Sequence, residues 1–338
     1  MTRWLQRQWY IQRRPVPALW LLLPLHALFV VLSGLRRSFY RAGWLRSLRL
    51  PVPVIITGNL IAGGAGKTPL VLWLAEALRQ RGRHPGILSR GYGSSVRTAR
   101  PVVATAAASE SGDEALLLAR RSGVPVWVGH DRVAAGLGLL AAHPEVDVLL
   151  ADDGLQHYRL VRDAEIVVFD GRGAGNGWRL PLGPLREPLS RLRTVSALVF
   201  NGDADPRVLA VSRSPHFIMR LVAGDFYRLD QPAMSCTVAM LAGKDLHALA
   251  GIGDPQRFFD ALTALELRFT PHAFPDHHAY TAANLDFGPA AVILMTEKDA
   301  VKCAGLTANE AWVLPVTAEL PATLVDILLE NIDGRTTA

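Results

Sequence analysis

The longest hydrophobic pattern comes first: Val16 to Leu35 (VPALWLLLPLHALFVVLSGL) is a twenty-residue apolar run whose only titratable side chain is His26. As a helix it is long enough to cross a hydrocarbon core of about 30 Å. After Pro51 the pattern changes to β-branched runs alternating with helical periodicity. Val52 to Asn59 (VPVIITGN) reads as a buried strand closed by a turn. Leu70 to Arg81 carries helical spacing, with Gly82 as its stop. Further strands are expected at Gly86 to Ser89, Val124 to Val128, Val146 to Ala151, Glu165 to Phe169 and Ala197 to Phe200, with a helix over Glu114 to Arg121. Such alternation implies an α/β fold, a mostly parallel sheet flanked by helices, with ligands at the carboxyl ends of its strands. From about Pro206 the strands shorten, at His216 to Leu221, Val238 to Leu241 and Ala291 to Met295, with a helix near Pro255 to Leu265. The predicted organisation is a head over 1–50, a core over 51–205 and a smaller C-terminal α/β lobe over 206–338.

Charge sharpens the picture of the head. The 338 residues carry a net charge of +6, but the first fifty hold nine arginines (Arg3, Arg7, Arg13, Arg14, Arg36, Arg37, Arg41, Arg46, Arg49) and no acid. Taking those nine from 36 basic residues leaves 27 against 30 acids, so the body is slightly negative. A nucleic-acid-binding surface would place a basic stripe on the folded body and is disfavoured, whereas an anionic membrane surface suits a basic head. Trp4, Trp9, Trp20 and Trp44 suit a headgroup-level belt. Four arginines precede the apolar run and five follow it, so little asymmetry orients a span, and Pro24 interrupts a straight helix. Interfacial or re-entrant seating is therefore favoured over a full crossing. No small-residue cleavage site precedes Arg36-Arg37, which disfavours a secretory signal. Half the residues are apolar and a fifth charged, which excludes a disordered or collagen-like chain. Two cysteines, Cys236 and Cys303, are too few for a disulfide framework or a zinc site and read as small buried residues of a reducing compartment.

The chemistry begins where the first strand ends. Ile61-Ala62-Gly63-Gly64-Ala65-Gly66-Lys67-Thr68 lies between that strand and a helix, the setting of a P-loop. Glycines let backbone N–H groups turn around phosphate oxygens, and the helix N-terminus adds favourable partial charge. Lys67 would reach the β- and γ-phosphates and the Thr68 hydroxyl would ligate Mg²⁺. The strict spacing calls for glycine at Ile61, so the pattern is shifted, and the plain alternative is a glycine-rich turn. Lys67 is one of only four lysines in the chain. The run Val146 to Ala151 ends in Asp152-Asp153-Gly154, carboxylates at a strand terminus where a nucleotide-bound Mg²⁺ needs hard oxygen ligands; an ordinary Asp-Gly turn is the plainer reading. Thr296-Glu297-Lys298-Asp299 invites comparison with a guanine-reading motif, but its lysine is one place too late.

Together these features resemble the tetraacyldisaccharide 4′-kinase family, the lipid A 4′-kinases. The resemblance covers nearly the whole chain and rests on the basic head, Gly63 to Pro69, Ser89-Arg90-Gly91-Tyr92-Gly93, Gly112-Asp113-Glu114, Asp131-Arg132, Asp152 to His157, Leu182 to Glu187, Gly251 to Pro255, Asp276-His277-His278 and Thr296 to Ala300. It implies transfer of the ATP γ-phosphoryl group to the 4′-hydroxyl of a tetraacylated disaccharide 1-phosphate at the cytoplasmic face of the inner membrane, yielding lipid IVA. It also implies that Asp113 is the base for the attacking hydroxyl, assisted by His277. A sugar hydroxyl is a poor nucleophile, so a carboxylate that accepts its proton makes chemical sense. Without the resemblance, Asp113 reads as a helix-capping acid and His277 as a polar surface residue. Arg90, Arg132 and Arg186 become candidates for holding the lipid phosphate or the transferred phosphoryl group, with an Arg186–Glu187 ion pair as the plain alternative. Two rival functions stay open: a membrane-associated P-loop ATPase switch controlling a protein partner, and a cytoplasmic small-molecule kinase whose apolar run is a buried helix.

Overall fold

The computed structural model describes residues 2–11, 15–94, 96 and 98–334. Among the described residues one sheet has nine strands, in the order Val316–Glu319, His216–Ala223, Ala197–Asn201, Ala164–Asp170, Val54–Gly58, Val148–Ala151, Pro85–Ser89, Val126–Val128 and Arg100–Pro101. The inner strands run parallel and the two edge strands antiparallel. Val54–Gly58 is buried at every position because the sheet is covered on both faces. Ile55 packs with Leu70, Val71, Leu74 and Leu78 of the helix Lys67–Gln80. Its neighbour Ile56 joins Leu88, Leu139 and Leu149 on the opposite face, as the alternation of a strand requires. Truncating one of these side chains, Leu74 for example, costs about 2–5 kcal/mol. Register matters for the site: Ile56 pairs with Ala151, which brings the loop after Gly58 beside Asp152 and Asp153 at the carboxyl edge.

A second sheet has six strands, Ser235–Cys236, Phe226–Arg228, Ala311–Leu314, Val292–Thr296, Leu246–Ala250 and Thr270–Ala273. Phe258, Phe259 and Leu262 of the helix Pro255–Ala264 pack on one face, while Tyr280 and Leu285 pack on the other. The boundary expected at 205/206 therefore moves. His216–Ala223 continues the large sheet in parallel beside Ala197–Asn201, and Val316–Glu319 adds to it. The last helix, Thr323–Asp333, then returns Leu324, Val325 and Leu328 to the face that the helix Lys67–Gln80 covers. The smaller lobe spans only the strands from Phe226 to Leu314, because a short strand carries no local mark of which sheet it will join. Val238–Leu241, expected as a strand, is a single helical turn, since four consecutive apolar residues have no period to decide between the two. Cys236 and Cys303 are buried and free.

The head is a helix over Thr2–Ile11, a 3₁₀ turn over Pro17–Leu22 and a helix over Leu23–Arg41. Pro24 falls in the first turn of that last helix, where its missing N–H breaks no hydrogen bond. Pro17–Arg41 is long and apolar enough to cross a membrane, and Leu21, Leu25, Leu28, Val31, Leu32 and Leu35 all face outward. Trp4, Trp20 and Trp44 are exposed as expected, but Trp9 is turned inward and donates its indole N–H to Pro181 O at 3.0 Å. Arg13, Arg14 and the side chain of Arg3 lie outside the described residues.

Candidate active site

The loop Gly58 to Gly66 is built from two kinds of backbone. Ile61 is fully buried and bridges Leu185, while the Ala62 N–H donates to Pro184 O at 2.8 Å. Ile61 is an anchor in the core, which is why an apolar side chain stands at the shifted position, and half-buried Ala62 is tied down through its backbone; the glycine-rich turn runs on over Gly63, Gly64, Ala65, Gly66, Lys67 and Thr68. Gly63 and Gly66 have φ of +104° and +84°, conformations that favour glycine, and a Cβ on Gly66 would fall 2.4 Å from Asn201 Nδ2. Asn59 braces the turn by donating to Gly63 O at 2.7 Å. Arg172, held by the buried Asp170, donates to Gly64 O.

Lys67 leaves the first turn of its helix and places Nζ 3.3 Å from Asp153 Oδ1. Burial opposes charge on Asp153, yet Lys67 and Arg186 hold its carboxyl below the usual range. Asp152 is 2 % exposed, and burial together with the Glu114 charge pushes its carboxyl well above that range. Its Oδ1 is buried and accepts no hydrogen bond. A buried carboxylate oxygen of this kind, with a second carboxylate next to it in sequence, is chemically the hard donor type that Mg²⁺ takes.

The three arginines are placed differently. Arg90 is exposed at the end of Pro85–Ser89. Arg186 lies 3.6 Å from Asp153 Oδ2 and donates to Gln156. Glu187 pairs with Arg191 and accepts from Tyr158, so the local Arg186–Glu187 pair does not form. Arg132, the third candidate, is the buried one of the three. It is 2 % exposed, and its guanidinium donates to Gly129 O and Asp152 O, each at 3.1 Å. Its reach is spent on the backbone beneath Asp152, so it supports the carboxylate from behind.

Asp113 begins the helix Asp113–Arg121 after Gly112, whose φ of +89° and whose contact with Tyr92 O exclude a side chain. Its carboxylate is 5 % exposed and accepts from the Glu114 N–H at 2.9 Å. His277, from the smaller lobe, brings Nδ1 to 3.0 and 2.9 Å from the two Asp113 oxygens and lays its ring against Tyr92 at 4.8 Å. His277 itself has φ +58°, a strained backbone for a non-glycine residue and one that the closed pair holds in place. Burial would raise the Asp113 carboxyl, but the hydrogen bond from His277 and the charge of Lys298 bring it below the ordinary value. Burial likewise opposes charge on His277, and Asp113 outweighs it and raises the imidazole. Gly253 stands 3.5 Å from Gly64 N when given a Cβ, so the smaller lobe also meets the P-loop.

The sequence profile of the tetraacyldisaccharide-1-P 4′-kinase family, LpxK, matches residues 18–333. The chain belongs to this family. A tetraacyldisaccharide 4′-kinase of Dechloromonas aromatica (strain RCB) is 58 % identical over 339 residues and covers both chains completely. One of Azoarcus sp. (strain BH72) is 52 % identical over 322 residues, 94 % of each chain. Among solved structures, LpxK from Aquifex aeolicus in complex with ATP superposes with a TM-score of 0.77 at 30 % identity, covering 92 % of this chain and 98 % of that one.

In this member of the LpxK family, residues that were not among the predicted site residues also line the site. Lys298 and Lys302 both reach the Asp113 cluster: Lys298 Nζ is 2.9 Å from Glu114 Oε1, and Lys302 Nζ is 3.9 Å from Asp113 Oδ2. The signal was available. Three of the four lysines in an arginine-rich chain, Lys67, Lys298 and Lys302, stand at this one place. Arg172 and Asn201 had no such mark, because each acts through the shape of the P-loop.

Proposed function

We propose that the chain transfers the γ-phosphoryl group of ATP to the 4′-hydroxyl of tetraacyldisaccharide 1-phosphate, giving lipid IVA and ADP at the cytoplasmic face of the inner membrane. The observation that carries this reading is the pairing of buried Asp113 with half-buried His277, closed across two lobes beside the P-loop. Backbone N–H groups over Gly63 to Thr68, the helix N-terminus and Lys67 bind the phosphates. Thr68, Asp152 and Asp153 would hold Mg²⁺, which when bound neutralises charge on the phosphate oxygens. Asp113 accepts the proton of the 4′-hydroxyl as its oxygen bonds to phosphorus, and its depressed pKa keeps it ionised for that task. His277 orients the carboxylate through Nδ1. Arg186 and Arg90 are the accessible guanidinium groups for the transferred phosphoryl group and the lipid 1-phosphate. The outward apolar face of Leu23–Arg41 and the basic head seat the protein on an anionic leaflet, where the substrate's acyl chains lie.

The test is transfer of label from γ-labelled ATP, with Mg²⁺, into the disaccharide 1-phosphate in mixed micelles. Asp113→Asn is expected to lower that transfer by about 10²–10⁴-fold, the range of a positioned base, with ATP binding retained. Label released only as free phosphate would overturn the kinase reading in favour of an ATPase.

A further inference from the structure

Lys298 lies on the helix Glu297–Cys303, and its ammonium meets Glu114 Oε1 at 2.9 Å, Asp276 Oδ1 at 3.1 Å and His277 Nε2 at 3.4 Å. An ammonium has three N–H donors and no acceptor. Donors and partners match in number, so Nε2 must offer its lone pair; a proton there would point at another N–H. At the other end of the ring, Nδ1 lies between the two oxygens of Asp113, which as a carboxylate only accepts. Both ends of the ring therefore require the same neutral tautomer, with the proton on Nδ1 and the lone pair on Nε2. Resting on the assignment of Asp113 as the base, we propose that Lys298 is a positioning residue of the transfer: it fixes the Nδ1–H tautomer of His277 and, through it, the orientation and basicity of Asp113.

The chemical consequence is a division of labour. With Nε2 occupied, His277 does not take the substrate proton. That proton passes to Asp113 as the new O–P bond forms and the bond to the ADP leaving oxygen breaks. A doubly protonated ring would weaken Asp113 as a base by placing a full positive charge against it. Asp113 and Asp276 favour that protonation, and Lys298 opposes it. The other ionisable groups around the pair are Tyr92 against the ring, Lys302 beside Asp113, and Glu114, which anchors Lys298. Glu114 belongs to the helix beside the large sheet, whereas Asp276, His277 and Lys298 belong to the smaller lobe. The three-way contact exists only where the lobes meet.

The experiment uses the full chain with ATP, Mg²⁺ and the disaccharide 1-phosphate in mixed micelles, comparing wild type with Lys298→Met. It reads kcat and KM against pH, together with the ¹⁵N spectrum of labelled histidine. The variant is expected to lose on the order of 10²-fold in kcat, at the low end of a misplaced base, with KM for ATP within about twofold. Removing a positive charge from Nε2 raises the His277 pKa, so the acid limb of kcat should move up by about half a unit or more. The Nε2 resonance should shift towards that of a protonated nitrogen. A uniform fall in kcat with the pH profile and the ¹⁵N pattern unchanged would reduce Lys298 to lobe packing and overturn the inference. If the variant fails to fold, the wild-type spectrum decides: a neutral ring carrying its proton on Nε2 overturns the proposal, and one carrying it on Nδ1 supports it. Asp113→Asn separates the two layers. Activity surviving in that variant sinks the base assignment itself, whereas an inactive Asp113→Asn beside an unaltered Lys298→Met profile sinks only the role of Lys298.

Discussion

Arg132→Met asks whether a buried guanidinium supports the metal-site carboxylate or clamps substrate. Methionine keeps much of the length and fills the same apolar surroundings, so the loss is confined to charge and hydrogen bonds. Two bonds disappear, to Gly129 O and Asp152 O, each at 3.1 Å. Bonds from a charged donor contribute about 1.5–3 kcal/mol each, so their gross loss is roughly 3–6 kcal/mol. Against this stands the cost of holding the cation inside the protein. Burial pulls the guanidinium from 12.5 down to about 10, and a drop of that size corresponds to roughly 3 kcal/mol against the charged form. The net expectation is destabilisation of about 2 kcal/mol. Urea unfolding at neutral pH with an unchanged m-value reads this directly. Arg132 also opposes the upward pull on Asp152, so that carboxyl should climb further and kcat should fall. KM for the disaccharide should stay within about twofold, because a residue behind the site binds no substrate. An unchanged urea midpoint together with a tenfold or greater rise in that KM, roughly 1.4 kcal/mol or more of binding, would refute this reasoning and restore the clamp.

Lys67→Met should lower transfer by about 10²-fold or more, since it removes the ammonium that the phosphate loop itself carries beside Asp153, and single-turnover transfer at saturating ATP reads it. The Asp113–His277 pair makes stability depend on pH in both directions. The depressed Asp113 contributes above its unfolded pKa and loses that contribution as pH falls through the folded value; the raised His277 contributes below its unfolded pKa and loses that contribution as pH rises through the folded value. The stability gap between wild type and His277→Gln, measured in urea, should therefore be widest between the ordinary carboxylate and imidazole values and should narrow above the latter. A gap that is constant with pH would refute the pair. Arg41 and Arg46 are exposed in the head, and neutralising both as glutamine removes about 2 kcal/mol of attraction to an anionic leaflet. Flotation with anionic vesicles should show a loss of roughly thirtyfold in partition, with ATP binding much less affected.

Much of the large sheet was legible because its central strands are short apolar runs buried on both faces, so hydrophobicity alone marks Val54–Gly58, Val148–Ala151 and Ala164–Asp170. The strand, glycine loop and helix around Lys67 were legible for a second reason, since the phosphate loop is continuous in sequence. What stayed hidden depends on pairing at long range. His216–Ala223 and Val316–Glu319 are nearly a hundred residues apart yet neighbours at one edge of the sheet, and nothing local specifies that. The surroundings of Arg132 stayed hidden for a related reason. A guanidinium in a loop motif looks the same in sequence whether it faces solvent or the back of a carboxylate; only the register of Val148–Ala151 against its neighbours puts Asp152 O within its reach. Asp113 and His277 are 164 positions apart, and a capping acid and a polar loop histidine acquire chemical meaning only when they touch.

Charge separates a basic head from a slightly negative body. The contacts of the first helix argue for a tighter arrangement. Trp9 is 5 % exposed, its carbonyl accepts from the Asn176 N–H, and its indole holds the Pro181 carbonyl. One residue on, the Tyr10 ring lies 5.0 Å from the Arg172 guanidinium, which also donates to the Gly64 carbonyl of the phosphate loop. A basic, tryptophan-rich segment thus touches the group that braces the glycine loop. Farther along the head, Arg37 approaches Glu187, next to Arg186, and the Arg186 guanidinium reaches Asp153. The head and the phosphate loop are therefore linked by two short routes, one through the Tyr10 and Arg172 side chains and one through the adjacent residues Arg186 and Glu187. That geometry suits a reaction whose acceptor hydroxyl belongs to a molecule with its acyl chains in the bilayer, because the surface that holds the chains and the loop that holds the phosphates keep a fixed separation.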